Sequence, residues 1–148
     1  MSITKSKTLK LDYFSYVKAF FNLMKPRVMS LVIFTCAVGL LIAPEKINFT
    51  SAIFSLMAVA LGSGAAGALN MWYESDLDSL MSRTCLRPIP TGKLSKNQAL
   101  VFGIISSIVS VIVLYIFSNL IAASVLVITI LFYVFVYTIW LKRKTSQN

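Results

Sequence analysis

The chain has 148 residues, 57% hydrophobic and 13% charged, with a mean hydropathy of +0.81. A soluble domain carries about 25% charged residues, and several stretches here reach the roughly 17 to 25 apolar residues that cross a bilayer. A soluble globular class is excluded, and the net charge of +9 has to be explained by where the cations fall.

Lys5, Lys7, Lys10, Lys18, Lys25 and Arg27 precede the first apolar stretch, and Lys46 alone follows it. Arg83, Arg87, Lys93 and Lys96 lie between the second and third stretches, none separates the third from the fourth, and Lys142, Arg143 and Lys144 come after the fourth. Thirteen of fourteen cations therefore sit on one side, which by the positive-inside pattern predicts cytoplasmic N- and C-termini. The basicity is topological, and no nucleic acid partner is expected. No cleavable signal is expected either, since the first 25 residues hold no uninterrupted apolar core. Cys36 in a span and Cys85 in a cytoplasmic loop are not a disulfide framework. His is absent, which removes the commonest general base.

In chain order, "YFSYVKAFFNLM" at 13–24 reads as an interfacial amphipathic lead-in. The first span is expected at about 28–43, with Pro26 suited to a first helical turn. The second, about 50–73, contains "GSGAAG" at 62–67. A dinucleotide fingerprint needs a preceding strand and a soluble βαβ unit, so the motif reads instead as small-xxx-small pairs for close helix packing: Gly62/Ala66, Ser63/Gly67 and Gly64/Ala68. This span is expected inside the bundle. A cytoplasmic segment of about 74–95 follows, its breaker-rich loop holding Pro88, Pro90 and Gly92. Ser95 and Gln98 have capping-box spacing at the start of a third span, about 96–117. Only Ser118 and Asn119 connect it to a fourth, about 120–141, which predicts a tight antiparallel hairpin. Tyr137 and Trp140 read as interfacial anchors. The fold class is all-α: a polytopic membrane bundle of four transmembrane helices in a single domain, with the bilayer as its solvent.

The acids are concentrated. In "NMWYESDLDSLMSRT", residues 70–84, a helix continuing past Trp72 brings Asn70, Glu74 and Asp78 onto one face at i, i+4, i+8, with Asp76 elsewhere. Two carboxylates and a carboxamide oxygen are hard ligands suited to Mg²⁺, which takes one or two carboxylates plus substrate phosphates. Arg83, Arg87 and Lys93 follow closely, and Arg recognises phosphate bidentately. From spacing alone a solvated ion-pair patch is the more ordinary reading, and Lys25 and Arg27 are more often plain interfacial anchors than ligands.

The stretch "NMWYESDLDSLMSRTCLRPIPTGKLS" resembles the first signature of the protohaem IX farnesyltransferase (haem O synthase) family, within the intramembrane prenyltransferases related to 4-hydroxybenzoate polyprenyltransferase. "LMKPRVMSLVIFT" resembles that family's first helix, and "FYVFVYTIWLKRKT" the end of its fourth. The superfamily pattern N-x-x-x-D-x-x-x-D falls on Asn70, Glu74 and Asp78, with Glu replacing the usual first Asp and shifting its oxygens by about one methylene.

The resemblance implies transfer of farnesyl from farnesyl diphosphate to haem B, in the cytoplasmic (inner) membrane of a bacterium. It implies Asn70, Glu74 and Asp78 as catalytic residues holding Mg²⁺, and Lys25, Arg27, Arg83, Arg87 and Lys93 as candidates for the diphosphate. It also implies a nine-helix fold with a second Asp-rich motif in its C-terminal half. The chain is therefore expected to be a partial form, inactive or nearly so alone, with a separate C-terminal half as a partner. A non-catalytic truncated remnant or membrane scaffold, and a prenyltransferase acting on a quinone precursor, are the alternatives.

Overall fold

The computed structural model describes residues 13–141 and Lys144. The cations Lys5, Lys7, Lys10, Lys142 and Arg143 invoked for topology lie outside the described residues. Helix α1 is Tyr13–Leu23, α2 Pro26–Ile42, α3 Phe49–Leu80, α4 Lys96–Phe117 and α5 Leu120–Leu131, which runs on as a π-helix over Phe132–Leu141. Among the described residues every regular element is helical. Among the described residues three helical units are long and apolar enough to cross a membrane, and a fourth is made if α1 and α2, bent by 57°, count as one span.

Local chemistry sets most of the helix ends. Pro26 opens α2, where no intrahelical N–H is needed. Ser95 and Gln98 close a reciprocal capping box at α4 (3.0 and 3.2 Å). The Asn119 side chain accepts from the Ala122 N–H at 2.7 Å to start α5.

Helix α3 departs from the expected boundary. Its 32 residues are about 48 Å long at 1.5 Å per residue, well beyond the ~30 Å hydrocarbon core. The segment from residue 74, expected beyond the span, is helical through Leu80, as the shared face of Asn70, Glu74 and Asp78 requires. No Gly or Pro interrupts 68–80, and the helix makes its own backbone bonds in water as in lipid. Thr84 Oγ donates to the orphaned Asp78 carbonyl at 3.0 Å and turns the chain away.

α3 is the central helix. Its most apolar window is 44% buried, against 22% for α4 and 11% for the α5 unit, and it packs on α1, α2, α4, α5 and the π-helix. The outward faces of α2, α4 and α5 carry exposed Leu31, Phe34, Ile105, Ile112, Ile121 and Ile128, as lipid solvent allows.

The small-residue stripe sets how closely neighbours approach. A Cβ on Gly64 would run into the Met24 side chain, 3.1 Å from its Cβ, and one on Gly67 would lie 3.3 Å from the Met24 carbonyl. The α1–α2 break docks in this notch, which small residues at both positions permit. Gly64→Leu is therefore expected to cost about 1–3 kcal/mol by overpacking, read as a lower unfolding midpoint in lipid. Gly39→Leu, where nothing lies within 4 Å, should be neutral; equal effects at both glycines would show that the notch is not a packing constraint.

Candidate functional site

The π-helix and the C-terminal end of α3 converge with the α1–α2 break. Asn70, Glu74 and Asp78 are 0, 3 and 4% exposed, whereas Asp76 on another face is exposed. Each step of four along α3 rises about 6 Å, so the three form a buried ladder. Buried polar groups of this kind need partners, and cations of the same chain supply two.

Lys25 lies at the α1–α2 break with φ 53° and ψ 69°, a left-handed conformation that costs a non-glycine residue about 1–2 kcal/mol. The turn is held by its own hydrogen bonds: Lys25 N–H to the Asn22 carbonyl, and Val28 and Met29 N–H to the Lys25 carbonyl, at 3.0–3.2 Å. It points the ammonium inward, where Lys25 Nζ donates to Asn70 Oδ1. On the other side, Asn70 Nδ2 donates to Thr138 Oγ1 at 3.0 Å, and that hydroxyl donates to the Tyr133 carbonyl at 3.0 Å. Asp78 faces the α3–α4 loop, whose Arg87 places Nη1 at 2.8 and 2.7 Å from its two oxygens.

Five of the eight residues singled out from the sequence thus lie along one ladder: Asn70, Glu74 and Asp78, with Lys25 and Arg87 on the first and last. Arg27 and Arg83 are exposed. Lys93 is exposed and lines a separate cleft of about 290 Å³ between α1 and the loop, together with Lys18. Thr138 was not anticipated. The only hint is a hydroxyl in an otherwise apolar run, and its direction depends on π-helical geometry that periodicity does not foretell.

A groove of about 580 Å³ runs between α2 and α5 over the small residues of α3. Lys25 and Tyr133 stand at one end, and Val32, Val59 and Leu126 line the walls. From Lys25 to Leu40 the lining follows α2 for about 22 Å. The walls are apolar almost throughout, with Ser55 and Ser118 toward the Leu40 end and the charged side chain, Lys25, beside Tyr133 at the other. An apolar cavity with a few convergent polar groups is the usual form of a ligand site. Among the described residues no three His, Cys, Asp or Glu side chains converge on one point. The donor set is two carboxylates and a carboxamide, which suits a hard divalent cation that keeps water and phosphate in its remaining positions.

Known proteins resemble the chain over most of its length. The chain is 69% identical over 128 residues to a protoheme IX farnesyltransferase of Pelagibacter ubique, covering 86% of this chain and 42% of that protein. It is 56% identical over 132 residues to one of Rhodopseudomonas palustris (89 and 42%), and 54% over 129 residues to one of Beijerinckia indica (87 and 40%). The chain thus spans about two fifths of the length of these curated relatives. No solved structure matches. The model of the UbiA prenyltransferase family matches residues 32–148, and the chain belongs to that family.

Proposed function

We propose that this chain supplies the first diphosphate-binding half of a protohaem IX farnesyltransferase, held in the cytoplasmic membrane of a bacterium with both termini inside. The observation that carries the reading is the junction of a buried Asn70–Glu74–Asp78 ladder, bordered by Lys25 and Arg87, with one end of an apolar groove. An isoprenyl diphosphate has this shape: an apolar tail for the groove and a polyanion for the polar end. The names of the relatives support farnesyl as the tail and haem B as the acceptor. In the overall reaction the farnesyl C–O bond breaks, a carbon–carbon bond forms to a haem vinyl group, and water supplies a hydroxyl. Diphosphate and haem O leave.

The chain's residues bind and orient. Asn70, Glu74 and Asp78 would hold Mg²⁺, whose contribution when bound is to neutralise charge on the departing diphosphate. Lys25 and Arg87 rest on the ladder's oxygens without substrate and turn to phosphate oxygens with it, where guanidinium and ammonium stabilise the developing charge. Arg27 and Arg83, both exposed, draw the anion in, and Lys93 marks a more distant part of that basic rim. The groove keeps the tail, and the carbon left electron-poor as the C–O bond breaks, away from water.

The chain spans two fifths of its relatives, and the reading takes the remaining C-terminal portion of such a relative as what completes the site. The test is haem O production, by chromatography, in membranes given haem B, farnesyl diphosphate and Mg²⁺. Expected are little or no product from the 148-residue chain alone and clear product when it is joined to the remaining portion of the Pelagibacter ubique relative. Robust turnover by the chain alone would overturn the half-site. A joined protein that prenylates a quinone precursor instead of haem B would overturn the acceptor.

A further inference from the structure

We propose that Thr138 is a positioning residue that fixes which atom of the Asn70 carboxamide faces the ladder. The inference rests on the reading of Asn70 as a cation ligand. An amide offers a hard oxygen donor on one side and an NH₂ group, which repels cations, on the other. Only one of its two orientations serves a metal ion or an ammonium group, and the two differ by a rotation with little steric consequence.

Thr138 removes the choice. Its hydroxyl has a single proton, and that proton is committed to the Tyr133 carbonyl at 3.0 Å. The lone pair left facing Asn70 can only accept, so Nδ2 turns toward Thr138 at 3.0 Å and Oδ1 turns toward Lys25. Lys25 enforces the same orientation from the other side, because an ammonium only donates. The two restraints are not redundant. When a cation and diphosphate displace Lys25 from Asn70, Thr138 is the group that still holds the NH₂ side. Asn70 is fully buried, so water is not there to take over.

The π-helix makes this possible. Thr129, in the α-helical part of the same span, donates four residues back, to the Val125 carbonyl at 2.7 Å. Thr138 donates five residues back, across the wide turn of Phe132–Leu141. The widened turn carries the Thr138 hydroxyl, 0% exposed, against α3. π-Turns are rare and are found mostly at functional positions, and here the turn has an identifiable product in the orientation of one amide.

The test uses the 148-residue chain in lipid nanodiscs, with Mn²⁺ plus inorganic pyrophosphate as the probe and free Mn²⁺ read by electron paramagnetic resonance. Thr138→Val keeps the shape and loses the acceptor, and it is expected to weaken Mn²⁺ binding about 10-fold, as for groups that orient a metal ligand. Thr138→Ser restores the acceptor and should return to within about 3-fold of the parent. In an Asn70→Asp background the two carboxylate oxygens are equivalent, so adding Thr138→Val should cost about 2-fold or less.

No saturable Mn²⁺ binding by the parent, or parent-like binding by Asn70→Ala, would overturn the ligand reading beneath the proposal. If Asn70→Ala weakens binding while Thr138→Val does not, or Thr138→Val costs as much in the Asn70→Asp background as in the parent, positioning by Thr138 is overturned. Should Thr138→Val lose its helical circular dichroism, Thr138→Cys, of similar volume with a weak acceptor, takes its place under the same criteria.

Discussion

Asp78→Asn, in the chain joined to the remaining portion of a relative, is expected to lower farnesyl transfer about 10³-fold while leaving the fold in place. The carboxylate is 5% exposed, with both oxygens within 2.8 Å of Arg87 Nη1. The amide has the same volume and keeps one acceptor for the guanidinium, so packing is preserved. What disappears is the anionic oxygen that a divalent cation needs. Removing one partner of a fully buried ion pair costs about 3–5 kcal/mol, but Arg87 is 26% exposed and its charge reaches water, so the stability cost should be a fraction of that. Asp76→Asn is the matched control, because Asp76 is exposed on another face of α3, and it should stay within about 2-fold of the parent. Haem O output with the unfolding midpoint separates the cases. Unchanged turnover in the Asp78→Asn variant, or an equal loss in Asp76→Asn, would show that the buried ladder is not the catalytic face.

The difference between those two acids was readable from the sequence, since it follows from 3.6 residues per turn alone. Asn70, Glu74 and Asp78 share a face in any helix that runs through them, and burial of that face followed once α3 continued to Leu80. Helix starts were equally legible at Pro26 and Ser95, whereas Asn119 was read only as part of a connection and proves to be the cap of α5. The stripe at 62–68 was legible as a packing surface, though not which element would use it: Met24 of the α1–α2 break enters at Gly64 and Gly67.

Loop geometry and non-α backbone escaped the reading. Arg83 and Arg87 look alike in sequence, yet the turn pinned by Thr84 on the Asp78 carbonyl directs Arg87 inward and leaves Arg83 exposed. Lys93 has the same charge and near-neighbour spacing, but it follows Gly92, at φ 74°, and faces the cleft beside Lys18. Lys25 and Thr138 reach Asn70 through a left-handed residue and a π-turn. Neither has a periodicity signature, because each is a local departure stabilised by tertiary contacts.

That departure makes Lys25 the position where stability and activity should move apart. Lys25→Met keeps the aliphatic stem along the groove and removes the ammonium, and it is expected to lower kcat/KM about 10²-fold, with much of the loss in KM for the diphosphate. Lys25→Arg should not rescue fully, because a planar fork does not reproduce a point charge aimed at one carbonyl oxygen. Lys25→Gly is the sharper variant. Glycine adopts φ 53° without the penalty of about 1–2 kcal/mol that a side chain meets there, and deleting the ammonium removes a half-buried charge along with its bond to Asn70. Both variants leave Asn70 Oδ1 without its ammonium, at a cost of about 1–3 kcal/mol. Glycine alone relieves the backbone, so the glycine variant should unfold at a higher midpoint than the methionine variant while transferring farnesyl as poorly. A residue kept only to link α1 and α2 would behave in the opposite way: methionine would be silent in the assay, and glycine would be active. A strained backbone that holds a lysine where glycine fits better is explained by what the ammonium does at Asn70, and the paired measurement of unfolding midpoint and kcat/KM on these two variants decides it.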